Sequence, residues 1–165
     1  MNPHRLINKT LIDGSVVIRD LISRPAKRLG FERAIPSMKG FERAHSRGAG
    51  LGNEYVEGIF YATKEVNQAL QNHGIERFLR ELFAEKRKEV NLYLTTVTKP
   101  HANSLRLMEI TYKLDAVYNN REFGVFEVTL EVDNNEQNPK AHITHFFPFT
   151  HYSKILIPKK PKPSA

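Results

Sequence analysis

Apolar positions fall into two periods along the chain. In residues 75–83 they recur at i, i+3, i+4, i+7 and i+8, as Ile75, Phe78, Leu79, Leu82 and Phe83. That spacing draws one stripe along an α-helix, with Glu76, Arg77, Arg80, Glu81, Glu85, Lys86 and Arg87 covering the other side. A preceding helix is predicted from Thr63, a fair N-cap, through Glu65 in its first turn, to Asn72-His73, with Gly74 just past its end. Beyond residue 90 the period falls to two, the period of strands. Leu92 and Leu94 share a face, and Phe126, Val128, Leu130 and Val132 alternate with Glu127, Thr129 and Glu131. A long strand over 105–118 changes phase near Met108, from Leu105 and Leu107 to Ile110, Tyr112 and Leu114, which predicts a β-bulge. Lys99-Pro100-His101-Ala102-Asn103-Ser104, Asn119-Asn120 and residues 134–139 read as turns, and 141–147 as a last strand.

These elements give an α+β fold: an irregular N-terminal segment, two helices, then a mostly antiparallel sheet of about four strands in hairpin order. The helices cover one sheet face. The other, with Tyr93, Thr95, Glu127, Thr129 and Glu131, is either solvent-facing or a binding floor. Residues 1–40 read as a linker or approach segment, with Arg24, Lys27 and Arg28 as a basic stretch and Val16-Val17-Ile18 offering one strand. Residues 41–150 form the main unit and 151–165 a basic tail, in which the proline-rich Lys159-Lys160-Pro161-Lys162-Pro163 is expected to be disordered. Gly30-Phe31-Glu32-Arg33-Ala34 recurs as Gly40-Phe41-Glu42-Arg43-Ala44, too short a repeat for a solenoid. Residues 45–58 form a polar loop rich in glycine, without the spacing of a dinucleotide or P-loop fingerprint.

A length of 165 residues suits one domain with its own core. The absence of cysteine excludes disulfides, zinc ribbons and a thiol nucleophile. The charge of +7 favours an anionic partner, nucleic acid above all. No stretch is apolar for long enough to span a membrane. Residues 1–20 have no apolar core of the kind a signal peptide needs, so none is expected.

Several blocks together resemble a known family: Phe41-Glu42-Arg43-Ala44-His45-Ser46-Arg47-Gly48, Gly58-Ile59-Phe60-Tyr61-Ala62, Val66-Asn67-Gln68-Ala69-Leu70-Gln71-Asn72-His73-Gly74-Ile75-Glu76-Arg77-Phe78, Leu94-Thr95-Thr96-Val97-Thr98 and Leu105-Arg106-Leu107-Met108-Glu109-Ile110. Over about residues 41–132 the chain resembles the "type 4" toxin domains at the C-termini of bacterial polymorphic toxins, carried by Rhs-repeat, contact-dependent and type VI-associated proteins. The resemblance implies a cargo domain delivered by a parent scaffold, acting in the cytoplasm of a recipient cell and held in check by a cognate immunity protein. It brings no catalytic residues with it.

The chemistry is therefore read from the residues. The first reading is a metal-independent ribonuclease without cofactor, whose order of helices then sheet is similar to that of colicin-type and RelE-type ribonucleases. RNA cleavage needs a base, an acid and cations for the phosphorane charge. His45 is the leading titratable group, with Arg43 beside it and Glu54 as a further acid or base. Ser46, Arg47, Tyr61, Gln68, Arg77, Arg80, Thr96, Arg106 and Tyr112 are the candidate substrate-binding residues. The second reading is an ADP-ribosyltransferase using NAD, with Arg43 or His45 on the cofactor, Tyr61 stacked on nicotinamide, and Glu127 or Glu131 on the ribose. It lacks a Glu-x-Glu pair, and the step from His45 to Tyr61 is short. A metal nuclease is less well supported, since His142 and His145 point to opposite faces of a strand, and His151 and Asp133 complete no ligand set. A non-enzymatic nucleic-acid-binding module fits the charge but shows no recognised motif.

Overall fold

A computed structural model describes residues 6–10, 14–23, 29–132, 140–144 and 154–158. Arg24, Lys27, Arg28, Asp133, the turn at 134–139, His145, His151 and the basic tail from Lys159 lie outside the described residues.

The described strands are β1 (Leu6–Thr10), β2 (Val16–Leu21), β3 (Glu42–His45), β4 (Ile59–Ala62), β5 (Asn91–Pro100), β6 (Leu107–Tyr118), β7 (Arg121–Glu131) and β8 (Lys140–Thr144). Six of them form one antiparallel sheet in the order β1-β2-β5-β6-β7-β8, and β3 and β4 pair as a separate hairpin. The expected run from β5 to β8 is there in hairpin order. The strand expected at Val16-Val17-Ile18 is β2, and it pairs with β5 from Val16↔Thr98 to Leu21↔Tyr93. The alternating pattern misses β3 and β4, which at four residues each are too short to show a period.

The bulge forms where the phase shift puts it. Lys99 pairs with Glu109 but Pro100 with Leu107, so Met108 is the extra residue. Asn119 and Asn120 both have positive φ, 51° and 61°, as a tight two-residue hairpin turn requires. A second bulge lies across β6 and β7. Leu114 pairs with Phe126 and Asp115 with Gly124, which leaves Val125 extra.

The expectation of two helices separated at Gly74 is corrected. The chain stays helical from Glu65 to Glu85, wound as a π-helix over Glu65–Glu76 and as an α-helix, α1, over Arg77–Glu85. Thr63 does cap the start, its Oγ1 accepting the Val66 N–H at 3.4 Å. The winding decides which side chains turn inward. Val66, Gln71 and Glu76, each five residues apart, are the buried positions of the π segment. In an α-helix, residues five apart point about 140° from each other, whereas i→i+5 winding brings them close to one line.

Leu79 and Leu82 of α1 join Leu92, Leu94, Ile110, Leu114, Phe126 and Leu130 of the sheet in one core, with Ala44, Phe60 and Ala62 from the β3-β4 hairpin. Helix and hairpin therefore share one face of the main sheet. Its other face carries Arg19, Thr95, Lys113 and Glu127, which alternate with core residues in register across β2, β5, β6 and β7.

Candidate functional site

His45 ends β3, where the chain leaves the hairpin for the glycine-rich loop. Its Nε2 lies 3.1 Å from Glu54 Oε1 and 3.5 Å from Glu32 Oε2. Glu54 is nearly sealed, its side chain 2% exposed, whereas that of His45 is 19% exposed. The Glu54 carboxylate is fixed by backbone donors. Its Oε2 accepts from Leu29 N–H at 2.7 Å and Gly30 N–H at 3.3 Å, and its Oε1 from Phe31 N–H at 3.0 Å. These amides open the 3-10 turn Phe31–Ala34, which also carries Glu32. A carboxylate held this way accepts from the ring and cannot swing. It therefore keeps the proton of neutral His45 on Nε2 and leaves Nδ1 as the basic nitrogen.

Ligand atoms of Glu32, His45 and Glu54 lie within 4.8 Å of one another, close enough to hold a metal ion. Both Glu54 oxygens already accept backbone N–H groups, which makes the trio a better proton-handling group than a cation cage.

The cations placed near His45 by sequence are used by the fold. Arg43 Nη1 donates to the carbonyls of Glu32 at 3.1 Å and Ile35 at 2.9 Å, tying the 3-10 turn to β3. Arg47 is 2% exposed and grips no surface ligand. It donates to the carbonyls of Leu94 (2.6 Å), Leu51 (2.8 Å), Asp20 (3.3 Å) and Leu21 (3.4 Å). Burial lowers its pKa to about 10, opposed by the Asp20 carboxylate, so it stays charged at neutral pH. Asp20 in turn accepts from the Tyr55 hydroxyl and from Asn53 Nδ2.

The other candidates are spread over the fold. Ser46, Thr96 and Tyr112 are buried. Gln71 Nε2 donates to the Tyr112 hydroxyl at 2.6 Å, and burial, with Glu76 nearby, raises the phenol well above its ordinary pKa. Tyr61 is buried and its hydroxyl donates to the Pro36 carbonyl. Gln68 Nε2, with Asn67 Nδ2, clamps the Glu42 carboxylate of β3 at 3.0 and 2.6 Å. Arg106 stacks over Phe41 at 4.9 Å. Arg77 is exposed and pairs with Glu81, while Arg80 donates to the carbonyls of Asn72 and Ala49 and joins helix to loop. Glu127 and Glu131 lie on the far face of the main sheet from His45 and Arg43.

Sequence reasoning passed over Glu32, left Glu76 without a role, and read Gln71 only as an amide on one helix face with Gln68, able to read a base or to bridge loops. Glu76 is 4% exposed and lies under the glycine-rich loop. A Cβ at Gly48 would sit 2.1 Å from Glu76 Oε2, so the carboxylate at the end of this buried side chain, 3.8 Å from Arg80 Nη1, has to move aside. Gly48→Ala is therefore expected to destabilise the protein by about 1–3 kcal/mol by overpacking, measured by urea unfolding. An unchanged midpoint would mean the loop does not rest on Glu76. Ser46 Oγ, Thr96 Oγ1 and Gln71 Oε1 have no hydrogen-bond partner among the described residues.

Residues 38–146 match the family described as bacterial toxin 4, and the chain belongs to that family. No curated protein and no solved structure matches it. Among the described residues, no helix is long and apolar enough to cross a membrane.

Proposed function

We propose that this toxin domain is an antibacterial effector that cleaves RNA in the cytoplasm of a recipient cell, without metal or cofactor, and that His45 is its general base. The observation that supports this reading is the fixed Glu54 carboxylate 3.1 Å from His45 Nε2. His45 Nδ1 takes the proton of an RNA 2′-hydroxyl. The imidazolium that forms is stabilised by Glu54 and Glu32, whose negative charge is already in place. The 2′-oxygen then attacks the adjacent phosphorus, the bond from phosphorus to the 5′-oxygen breaks and that oxygen takes up a proton from water, and the net charge of +7 draws the polyanion in. Delivery by an Rhs, contact-dependent or type VI-associated scaffold, and restraint by a cognate immunity protein, complete the reading.

The test is expression in bacteria of the wild type beside His45→Ala, with total RNA resolved on a denaturing gel, and the purified chain assayed on RNA in EDTA. Wild-type cleavage in EDTA and a loss of about 10²–10⁴-fold on removal of the base are expected. Growth arrest with intact RNA would overturn the ribonuclease reading.

A further inference from the structure

The main sheet ends differently on its two sides. At one side β1 is irregular, its register slipping between Leu6↔Arg19 and Lys9↔Val17. A broken edge of this kind resists pairing with a further strand. At the other side β8 is regular, paired residue for residue from Glu127↔Thr144 to Glu131↔Lys140. Among the described residues no strand pairs with its outer edge. Lys140, Ala141, His142 and Thr144 are exposed. An even, exposed edge is a template for another strand.

An apolar groove of about 420 Å³ lies where the helix meets this edge. Leu70, Gly74, Ile75 and Phe78 line it from the helix, and Val128 and Ala141 from β7 and β8. Leu70 and Ile75 are five residues apart, so the π winding sets them in one row. Gly74 adds no side chain to fill the space, and Phe78 is left 37% exposed. An open apolar groove on an otherwise charged protein marks a surface that meets a partner.

The edge complements itself. Laid antiparallel against its own copy about a two-fold axis at His142, β8 matches Lys140 with Thr144, Ala141 with Ile143 and His142 with His142. Lys140 then meets no lysine. Thr144 has Glu127 as its neighbour on β7. By strand spacing that carboxylate lies about 10 Å from the backbone of Lys140 of the second copy, which a flexible lysine stem and a glutamate side chain span together. The axis repeats this charge match. It also places Ile143 of the second copy across from Ala141, at the rim of the apolar groove.

We propose that this edge is a dimer interface, at which two copies join β8 to β8 in one continuous antiparallel sheet, with their apolar grooves side by side about the axis. The proposal does not rest on the ribonuclease reading, since neither His45 nor Glu54 takes part in it. A five-residue edge and one groove make a small interface, so association in the micromolar range is expected.

The chain has no cysteine, so an introduced one reports alone. His142→Cys sets the residue opposite itself, with Cα atoms about 4.5–5.5 Å apart, inside the range of a disulfide. Lys140→Cys, at an equally exposed position, leaves its two copies about 14 Å apart, too far to bridge. In about 0.15 M salt, which screens the repulsion between two chains of +7, the full chain is expected to sediment as a dimer as its concentration rises. On oxidation His142→Cys is expected to run as a covalent dimer on a non-reducing gel, and Lys140→Cys as a monomer. Thr144→Lys separates the interface from the fold. It sets lysine against Lys140 of the second copy, twice, but beside Glu127 of its own chain. It is expected to raise the dimer dissociation constant about fivefold or more without lowering the urea midpoint of the monomer. A monomer at every concentration, without a His142→Cys crosslink, overturns the interface. Equal crosslinking of both cysteine variants, the mark of random collision, overturns it too, as does a dimer that Thr144→Lys leaves unchanged.

Discussion

Arg47→Ala is expected to lower the stability of the domain by about 3–5 kcal/mol, a large part of the roughly 5–15 kcal/mol that holds an average domain folded. The guanidinium donates to carbonyls on β2, β5 and the glycine-rich loop, namely those of Asp20, Leu21, Leu94 and Leu51. Alanine leaves these acceptors buried without donors, leaves Asp20 without its counter-charge, and opens a hole the size of the side chain. Lysine rescues little, because one ammonium group does not span carbonyls arranged to suit a planar fork. Urea unfolding followed by circular dichroism measures the loss. A shift below about 1 kcal/mol would show that water replaces the fork at no cost, contrary to its burial.

Glu54→Gln is expected to separate folding from activity at the His45 pair. With the amide oxygen kept on Leu29 and Gly30 N–H, the amide NH₂ faces Phe31 N–H and His45 Nε2. Nε2 then has to accept, so the ring proton moves to Nδ1 and the basic lone pair turns away from the substrate. A tautomer error of this kind costs about 10²–10⁴-fold in turnover. The donor set against Phe31 N–H costs about 1–3 kcal/mol in stability. RNA cleavage rates, compared with unfolding of the same preparation, read both effects. Wild-type rates from a less stable protein would mean that Glu54 only staples the 3-10 turn.

The sequence made the sheet legible where side chains alternate between core and solvent, as along Phe126 to Val132, and where a phase slip has one cause, as at Met108. The helix misled because Gly74 follows Asn72-His73, a local stop signal. The tertiary contacts of Gln71 with Tyr112 and of Gln68 with Glu42 override it. The five-residue repeat shows the same limit. Gly30 and Gly40 both take positive φ, 71° and 86°, but the first copy goes on as a 3-10 turn and the second as β3. Its surroundings decide, since Glu54 holds the start of one copy and β4 pairs with the other. At the site, His45 was legible as a titratable group, and the carboxylate behind it was named, though not as its partner. What the fold does with Arg43 and Arg47, which hold backbone carbonyls, was not legible. A sequence shows that a guanidinium is present, but not that backbone carbonyls from distant segments converge on it.

The π winding also bears on how far this segment can be redesigned. It seats more residues per turn than an α-helix, so its inward row of Val66, Gln71 and Glu76 is a matter of residue count as well as residue type. Rewinding the same residues between Gln71 and Glu76 as an α-helix would turn Glu76 about 140° away from Gln71. Glu76 would leave the space beneath Gly48, and Leu79 and Leu82 would leave the core. Deleting one residue between Gln71 and Glu76 compensates, because positions i and i+4 share a face of an α-helix. A graft or consensus design that idealises this turn has therefore to drop a residue with the π winding, or its two halves fall out of line.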